Sequence, residues 1–472
     1  MTSPLCWGCL IRRSYQIRPI SQVAILSTIQ ATASFSTTSL FYARVQSNSV
    51  SGPVRGVKAL KISKSTPKPR GKRPDPGERK AQKKRIVLSN TNALEVPNVQ
   101  DFTIQSLGDA NVQGHMLSLP GKLVDQLRAV EAFKPTQGWA MFRKPSTLMR
   151  KETLDLSKIM DEISTTKGKN HRVIVTGQRG AGKSMLLLQG MATAFLKQWV
   201  VIHIPEAQDL TIGHTDYFPI PDITPTQYIQ NNYTANLLLR IASANTSVLR
   251  SIPFENPSGT FSLPANPTLY DLAKLGAEDL ELAWPVFGTL WKDLTSTTGP
   301  NSRPPIFLSL DGLHHIMKPK TGYIDHDAKP IHSHDLALVK HFVDYLSGAK
   351  TLPNGGVVIA ATSASNVPGL PLFETTLRRR EAQITSSPSS IVPEYDPFRQ
   401  PDLKIEGSLN AVDKVVKLCG TGKDEARGLV EYIARSGLVR VRVNEANFAR
   451  WWCVSGGGVV GELEKAVLNI KR

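Results

Sequence analysis

One stretch of eight residues constrains the fold of this chain more than any other: Gly177-Gln-Arg-Gly-Ala-Gly182-Lys183-Ser184. Before it, residues 173–175 are apolar and β-branched, as in a strand that is buried on both faces of a parallel sheet. After it, an apolar run beginning at Met185 suits a buried helix. A G-x-x-x-x-G-K-S pattern between a strand and a helix predicts a loop that binds phosphate.

Each fixed position of this loop has a chemical reason. Glycines allow backbone dihedrals that turn successive N–H groups inward around a phosphate. Lys183 can bridge β- and γ-phosphate oxygens, and Ser184 can ligate Mg²⁺. We therefore expect nine residues to contact a nucleotide: Gly177, Gln178, Arg179, Gly180, Ala181, Gly182, Lys183, Ser184 and Met185. Two alternatives remain: a glycine-rich turn with an exposed lysine, or a loop that holds a nucleotide for structure alone, without turnover.

Two further strands are predicted to end in polar groups near this loop. Residues 305–310 are apolar and lead to Asp311, which we expect to hold Mg²⁺ beside Ser184. The alternative is a plain turn, which an Asp-Gly pair favours. A second apolar strand ends at Thr362, which either senses the γ-phosphate or caps the next turn. His314 and His315 fit a turn or the core better than a role in orienting water.

The arrangement of elements predicts an α/β fold of the P-loop NTPase class (AAA/STAND-like). Five parallel strands with helical crossovers form a three-layer sandwich, with one additional strand between the loop strand and the Asp311 strand. We assign the fifth strand to residues 391–392 and a helix to 224–242, with Thr224 as its cap. Helices are predicted at 409–418, 424–434 and 462–470.

Composition divides the chain into five segments. Residues 1–45 are predicted to be a mitochondrial transit peptide and 46–85 a basic disordered arm. Residues 86–165 form a helical lead-in, 166–400 the P-loop nucleotide-binding domain, and 401–472 a helical C-terminal domain. No apolar run approaches the 18 residues of a membrane-spanning helix.

Most of the net charge of +18 is concentrated at the N-terminus. Residues 1–85 contain 17 Lys or Arg and only two acidic residues, a net charge of +15, which leaves +3 for the rest of the chain. The first 45 residues combine arginines, many Ser and Thr, and short apolar stretches, which is typical of targeting to the mitochondrial matrix. An ordinary disordered N-terminus is the alternative.

The Pro- and Lys/Arg-rich arm at 46–85 is too polar to fold alone, and its charge suits contact with RNA phosphates; the alternative is a solvated linker. Arg143, Lys144 and Arg150 are basic residues of the lead-in segment that could contact phosphate. We assign them to a solvated face rather than to phosphate contact.

Together these stretches resemble the death-associated protein 3 family, the GTP-binding proteins of the mitochondrial ribosomal small subunit. The resemblance covers about residues 120–470. It rests on the loop, the Asp311-Gly312 strand, and three further stretches: Phe142-Arg-Lys-Pro145, Trp199-Val-Val-Ile-His-Ile-Pro205 and Gly356-Val-Val-Ile-Ala-Ala-Thr-Ser363. It implies an AAA-like domain with a helical C-terminal region, mitochondrial rRNA and other small-subunit proteins as partners, and a contact with the large subunit.

The chain departs from an efficient nucleotidase at several positions. Gly312 follows Asp311, where many ATPases place a catalytic Glu. No Asn-Lys-x-Asp or Thr-Lys-x-Asp motif is present to read guanine, and Gly461-Glu-Leu463 contains no arginine. Slow GTP or ATP hydrolysis stays open, and nucleotide binding is favoured over turnover.

We therefore expect a ribosomal small-subunit component that supports mitochondrial translation and binds GTP or GDP with Mg²⁺. ATP remains open as the nucleotide. The alternatives are a STAND/AAA-type NTPase switch that is not stably bound to the ribosome, and an RNA-binding scaffold with a vestigial loop.

Overall fold

The computed structural model describes residues 86–221, 223–255, 261–297, 303–364, 369–385, 392–396, 398 and 402–469. The predicted transit peptide and basic arm lie outside these residues. Nine strands are present among them, in chain order: β1 Met116–Ser118, β2 Ser146–Leu148, β3 Asn170–Gly177, β4 Val200–Ile204, β5 Phe218–Pro219, β6 Tyr228–Ile229, β7 Ile306–Asp311, β8 Gly356–Ala361 and β9 Lys414–Leu418.

Fourteen α-helices accompany these strands in the described part of the chain. In order they are α1 Ile104–Gly108, α2 Gly121–Ala129, α3 Lys151–Thr165, α4 Lys183–Leu196, α5 Asn231–Ala244, α6 Thr246–Arg250, α7 Leu269–Glu278, α8 Ala283–Leu294, α9 Ala337–Leu346, α10 Pro371–Thr385, α11 Leu403–Gly407, α12 Lys423–Arg435, α13 Glu445–Val454 and α14 Val460–Leu468. None of these described helices is both long and apolar enough to cross a membrane.

Five parallel strands form the central sheet, in the order β4-β7-β8-β3-β9. The predicted α/β class with a parallel sheet is confirmed. β8 lies between the loop strand β3 and the Asp311 strand β7, as predicted. Because all five strands run the same way, their carboxyl ends meet at one edge, where ligands bind in sheets of this kind.

The prediction of the fifth strand was wrong. Of residues 391–392, Ile391 lies outside the described residues and Val392 is not in a strand. The fifth strand is β9, within a stretch that the sequence predicted to be helical. Val415 and Val416 pair with β3 as a sheet edge, flanked by the exposed Lys414 and Lys417. Such a short apolar run fits both a helical and a strand period, and pairing with β3 decided between them.

The predicted start of the helix at Thr224 was also wrong. Helix α5 begins at Asn231, with Gln230 in the N-cap position. The residues before it form strand β6, which pairs with β5 as a short antiparallel ribbon. Residues 228–229, which helix propensity assigns to the first helical turns, are therefore in a strand.

Alternate residues along the strands pack against two different helical layers. One layer, built around α5, α7, α8 and α9, contacts the strand residues Ile174, Ile202, Leu308 and Val358. The other layer, built around α2, α3 and α4, contacts Val173, Val175, Val201, Phe307 and Ile359. This alternation is the period of two expected of a strand, and burial on both faces gives the strands their nearly continuous apolar sequence.

A third, smaller core holds the C-terminal helices together. Buried residues of α12 and α14, with Phe448 of α13, pack against Leu148 of β2. Trp451 and Trp452 lie half-buried at the margin of this core. The C-terminal helices therefore pack against the lead-in segment.

Candidate nucleotide-binding site

The loop between β3 and α4 is built from glycines that no other residue could replace without strain. Gly177, Gly180 and Gly182 have φ values of 148°, 80° and 97°. A Cβ on Gly177 would lie only 2.5 Å from the carbonyl oxygen of Leu418. Glycine tolerates positive φ and close backbone approach, so the loop can curl into a cradle that opens at the N-terminus of α4.

Lys183 is the first residue of α4, and its side chain folds over the loop. Its Nζ donates to the carbonyl oxygens of Gly177, at 2.6 Å, and Gln178, at 3.0 Å. Burial lowers the pKa of this ammonium, and the nearby carboxylate of Asp311 opposes that shift. Lys183 is only 9% exposed, so it is not the exposed lysine of the glycine-rich-turn alternative.

Ser184 and Asp311 meet at the carboxyl edge of the sheet. The Ser184 hydroxyl donates to Oδ2 of Asp311 across 2.7 Å. These two oxygen ligands come from helix α4 and strand β7, which are 127 residues apart in the chain. Hard cations such as Mg²⁺ prefer oxygen ligands of this kind, so the pair fits the predicted metal role.

Lys134 adds a cation that the sequence did not single out. Its Nζ lies 3.4 Å from Oδ2 of Asp311 and also donates to the carbonyl oxygen of Pro205. Both members of the ion pair are largely buried, with side chains 17% and 14% exposed. No local pattern marks Lys134, because its role comes only from the approach of the lead-in segment to β7.

Arg150 corrects the expectation of a solvated face. Its guanidinium is buried, and Nη1 donates to the carbonyl oxygen of Ala181 at 2.8 Å. Nε lies 3.2 Å from the carboxylate of Glu152 and 4.0 Å from that of Glu425. Arg150 therefore ties the loop to α3 and α12.

The remaining predicted contacts occupy different positions around the loop. Gln178, Arg179 and Gly180 are exposed, whereas Ala181 is fully buried. The Met185 sulfur accepts a hydrogen bond from Nε2 of Gln137 at 3.3 Å. Their contact with a nucleotide remains a prediction. The exposed part of the loop, residues 178–180, is the part that a ligand can reach.

Thr362 and His314 lie beside the loop on the β8 side. The Thr362 hydroxyl donates to the carbonyl oxygen of Val175 in the neighbouring strand β3, at 3.2 Å. Nδ1 of His314 accepts a hydrogen bond from the backbone N–H of Ser363, and the ring packs against Phe373. Burial, together with the nearby His315 and Lys183, lowers the pKa of His314 to about 4. The imidazole is therefore neutral at physiological pH.

The start of helix α14 closes the loop from the C-terminal side. The backbone N–H of Gly461 donates to the carbonyl oxygen of Gly180 at 2.9 Å. A Cβ on Gly461 would lie 3.2 Å from Cα of Gly180, so the two backbones touch with little room between them. The site is therefore walled by the lead-in segment, the sheet edge and the C-terminal helices.

Sequence comparisons relate this chain to one protein family and to two named proteins. The sequence profile of the family described as "Mitochondrial ribosomal death-associated protein 3" matches residues 147–466. The "Small ribosomal subunit protein mS29" of Neurospora crassa is 45% identical over 401 residues, which cover 84% of this chain and 84% of the relative. The protein of the same name from Schizosaccharomyces pombe is 22% identical over 379 residues, covering 79% of this chain and 75% of that protein.

One solved structure that this chain is similar to is described as "Structure of the Aeropyrum Pernix ORC2 protein (ADPNP-ADP complexes)". It is 13% identical, with a TM-score of 0.32, and the match covers 67% of this chain and 60% of that one. The profile match and the 45% identity to the Neurospora protein lead to one conclusion. This chain belongs to the mitochondrial ribosomal death-associated protein 3 family.

Proposed function

We propose that this chain is a component of the small subunit of the mitochondrial ribosome, and that it binds GDP or GTP with Mg²⁺. The ribosomal part rests on one observation: 45% identity, over 84% of both chains, to a protein named as a small ribosomal subunit protein. The family description, which contains the words mitochondrial ribosomal, supports the same role and a location in the mitochondrion. The transit peptide predicted at 1–45 would direct the chain to the matrix.

The nucleotide part rests on the convergence of Lys183, Ser184 and Asp311 around the glycine cradle. Lys183 contacts two carbonyl oxygens of its own loop, and phosphate oxygens would replace them as acceptors. Ser184 and Asp311 would share a bound Mg²⁺, and the loop N–H groups would receive the α- and β-phosphates. Bound Mg²⁺ would neutralise phosphate charge between these two oxygens.

We propose that binding stabilises the fold rather than driving rapid turnover. Gly312 places no carboxylate next to Asp311, and its φ of 94° suits glycine rather than glutamate. Nδ1 of His314 is already engaged by Ser363, so it is not free to take a proton from water. Nucleotide would instead connect β3, β7 and the C-terminal helices across one site.

The proposed partners are mitochondrial rRNA and other small-subunit proteins, with a contact to the large subunit. The basic arm at 46–85 would track the phosphate backbone, since each cationic contact releases counterions from RNA.

The contact between Lys134 and Asp311 favours a second candidate function, a STAND/AAA-type switch. Mg²⁺ would have to displace the Lys134 ammonium from Asp311. Such an exchange of cations would give the site two states, one with the lysine on the carboxylate and one with the metal.

Sedimentation of salt-washed mitochondrial extracts tests the ribosomal part. We expect this chain to migrate with small subunits through moderate salt. Mass spectrometry of nucleotide released from those fractions tests the second part, and we expect a near-stoichiometric guanine nucleotide. A Lys183→Ala variant expressed in the same cells serves as the control for the loop.

The outcomes separate the proposals. Chain found free of subunits in every fraction would overturn the ribosomal role. If the chain is bound to small subunits but carries no nucleotide, the scaffold alternative is supported. If the released nucleotide contains adenine, the chain binds ATP or ADP rather than a guanine nucleotide. Free chain with exchangeable nucleotide, and turnover far above that of Lys183→Ala, would establish the switch.

A further inference from the structure

Helix α14 carries a carboxylate toward the same site that its first turn closes. Gly461 and Glu464 are three residues apart, so they lie on the same face of the helix. Gly461 contacts the loop at Gly180, through the hydrogen bond of 2.9 Å described above. Glu464 therefore projects from the loop-facing side, one turn further along.

The lead-in segment also lies close to the Glu464 carboxylate. A Cβ built on Gly138 would lie 2.1 Å from Oε1 of Glu464, which shows how closely the carboxylate approaches the glycine. The preceding residue, Gln137, holds the Met185 sulfur in the first turn of α4. Glu464, Gly138 and Met185 therefore border one region beside the loop.

A nucleotide bound in this loop would have its base in the region bordered by Glu464, Gly138 and Met185. The γ-phosphate end is marked by Lys183 and by the Mg²⁺ ligands Ser184 and Asp311, because the loop lysine reaches the β- and γ-phosphates. The α-phosphate lies at the other end of the cradle, toward Met185 and the exposed side of the loop. The base and sugar must extend beyond it, between the lead-in segment and α14.

Glu464 is chemically suited to receive a base. It is half-buried, and within the described residues its carboxylate makes no hydrogen bond or salt bridge. Its neighbour Lys465 instead pairs with Glu462 at 2.9 Å. Burial raises the pKa of Glu464, and Lys465 only partly opposes this. Partial removal of a carboxylate from water, with no donor in place of the lost water, costs free energy, so a ligand that supplies donors gains affinity.

Guanine supplies two such donors side by side, the N1–H and the 2-amino group. An ionised carboxylate is an acceptor with two oxygens, and it matches that pair in a bidentate contact. Adenine presents an unprotonated N1 and no 2-amino group on the same edge, so its acceptor would face the carboxylate. A site built to pair with donor groups discriminates strongly against a ligand that lacks them.

We infer that Glu464 reads the guanine base by accepting hydrogen bonds from N1–H and the 2-amino group. This inference rests on the proposed nucleotide function and adds the residue that selects the base. It also accounts for guanine selection in a chain without an Asn-Lys-x-Asp motif: the reading carboxylate comes from the C-terminal helix rather than from a loop of the sheet domain.

Titration of the purified full chain with GDP, IDP, XDP and ADP tests the inference. We expect the wild type to prefer GDP over ADP by at least about 100-fold, and over IDP by about 10-fold, since IDP lacks the 2-amino donor. In Glu464→Gln, the amide N–H₂ would donate to the 2-oxo group of xanthine. GDP affinity should fall about 10- to 100-fold while XDP affinity rises.

Two further variants complete the experiment. Glu462→Gln, two residues away, removes a carboxylate that faces Lys465 and should leave the order of affinities unchanged. Glu464→Ala should lose GDP affinity without gaining XDP affinity. Both readouts are ratios of affinities, so partial loss of folded protein does not imitate them, and Glu464→Ala keeps the test valid if Glu464→Gln folds poorly.

The failures are distinguishable. A wild-type chain that binds none of the four nucleotides would overturn the proposed nucleotide function, and this inference with it. Tight binding with an unchanged preference for GDP in both Glu464 variants would overturn the inference alone. A wild-type preference for ADP would do the same.

Discussion

The hydroxyl of Ser184 and the carboxylate of Asp311 are joined by a hydrogen bond of 2.7 Å, although the strands that precede them in the chain are not neighbours in the sheet. Strand β8 lies between β3, which leads into the Ser184 helix, and β7, which ends at Asp311. The contact forms because all three strands deliver their carboxyl ends to one edge. It places the two oxygens beside the glycine loop, where nucleotide binding is proposed.

Asp311→Asn should remove the dependence of nucleotide affinity on Mg²⁺. An amide oxygen is a weaker ligand than a carboxylate for a hard cation, so affinity in Mg²⁺ should fall by about 10-fold or more, whereas affinity in EDTA should change little. Calorimetric titration with and without Mg²⁺ measures the difference. Asp335→Asn, at a residue that pairs with Lys404 away from the loop, is the control. An unchanged Mg²⁺ dependence in Asp311→Asn would exclude the metal role.

Lys183→Ala should weaken nucleotide binding without destabilising the nucleotide-free fold. Charge-assisted hydrogen bonds contribute roughly 1.5–3 kcal/mol, so affinity should fall by about 10- to 150-fold. Without nucleotide, the substitution removes two hydrogen bonds to loop carbonyls, which costs stability. It also removes an ammonium whose pKa is lowered by burial, and relief of that unfavourable burial offsets the cost. Titration and thermal unfolding provide the two measurements. Lys197→Ala, at the far end of the same helix, should bind normally.

Arg150→Met should lower the free energy of unfolding by roughly 3 kcal/mol, because removing one partner leaves buried charge uncompensated. The carboxylate of Glu425 would lose its nearby cation, and the carbonyl of Ala181 would lose its donor. Urea unfolding monitored by circular dichroism gives the value. Arg128→Met, on the exposed face of α2, should change stability by less than about 0.5 kcal/mol. Equal effects of the two substitutions would contradict a supporting role for Arg150.

His341 should make the fold sensitive to acid. Burial beside Trp291, with a smaller effect from Lys350, lowers its pKa to about 3, and its buried Nε2 has no hydrogen-bond partner among the residues that the structure describes. The unfolded chain therefore takes up the proton first as pH falls. The stabilisation is complete above about pH 6.5 and is lost progressively between about pH 6.5 and the folded pKa.

His341→Phe should reduce this acid sensitivity. Between pH 7 and pH 5 the variant should lose up to about 2 kcal/mol less unfolding free energy than the wild type. Urea unfolding at the two pH values measures the change, and His214→Gln, at an exposed position, is the control. A wild-type pH dependence that the variant reproduces in full would show that His341 is not one of the groups responsible.

The amino-acid sequence by itself determined the class of fold and the centre of the candidate site. The glycines, Lys183 and Ser184 are contiguous, so the backbone geometry they require can be read without knowing the rest of the chain. Asp311 followed from the same reasoning, since an acid at the end of a buried parallel strand must lie at the ligand-binding edge. The predicted additional strand between the loop strand and the Asp311 strand was confirmed, and the structure identifies it as β8.

Only the tertiary structure decided which distant residues surround that centre. The sequence predicts Arg150 on a solvated face, whereas α12 and the loop enclose it in the structure. Lys134 contacts Asp311, which is 177 positions later in the sequence. Glu464 carries no local signal at all, because its position depends on how the first turn of α14 meets Gly180. Such contacts depend on packing between elements far apart in the chain, and residue periodicity records only which face is buried, not what covers it.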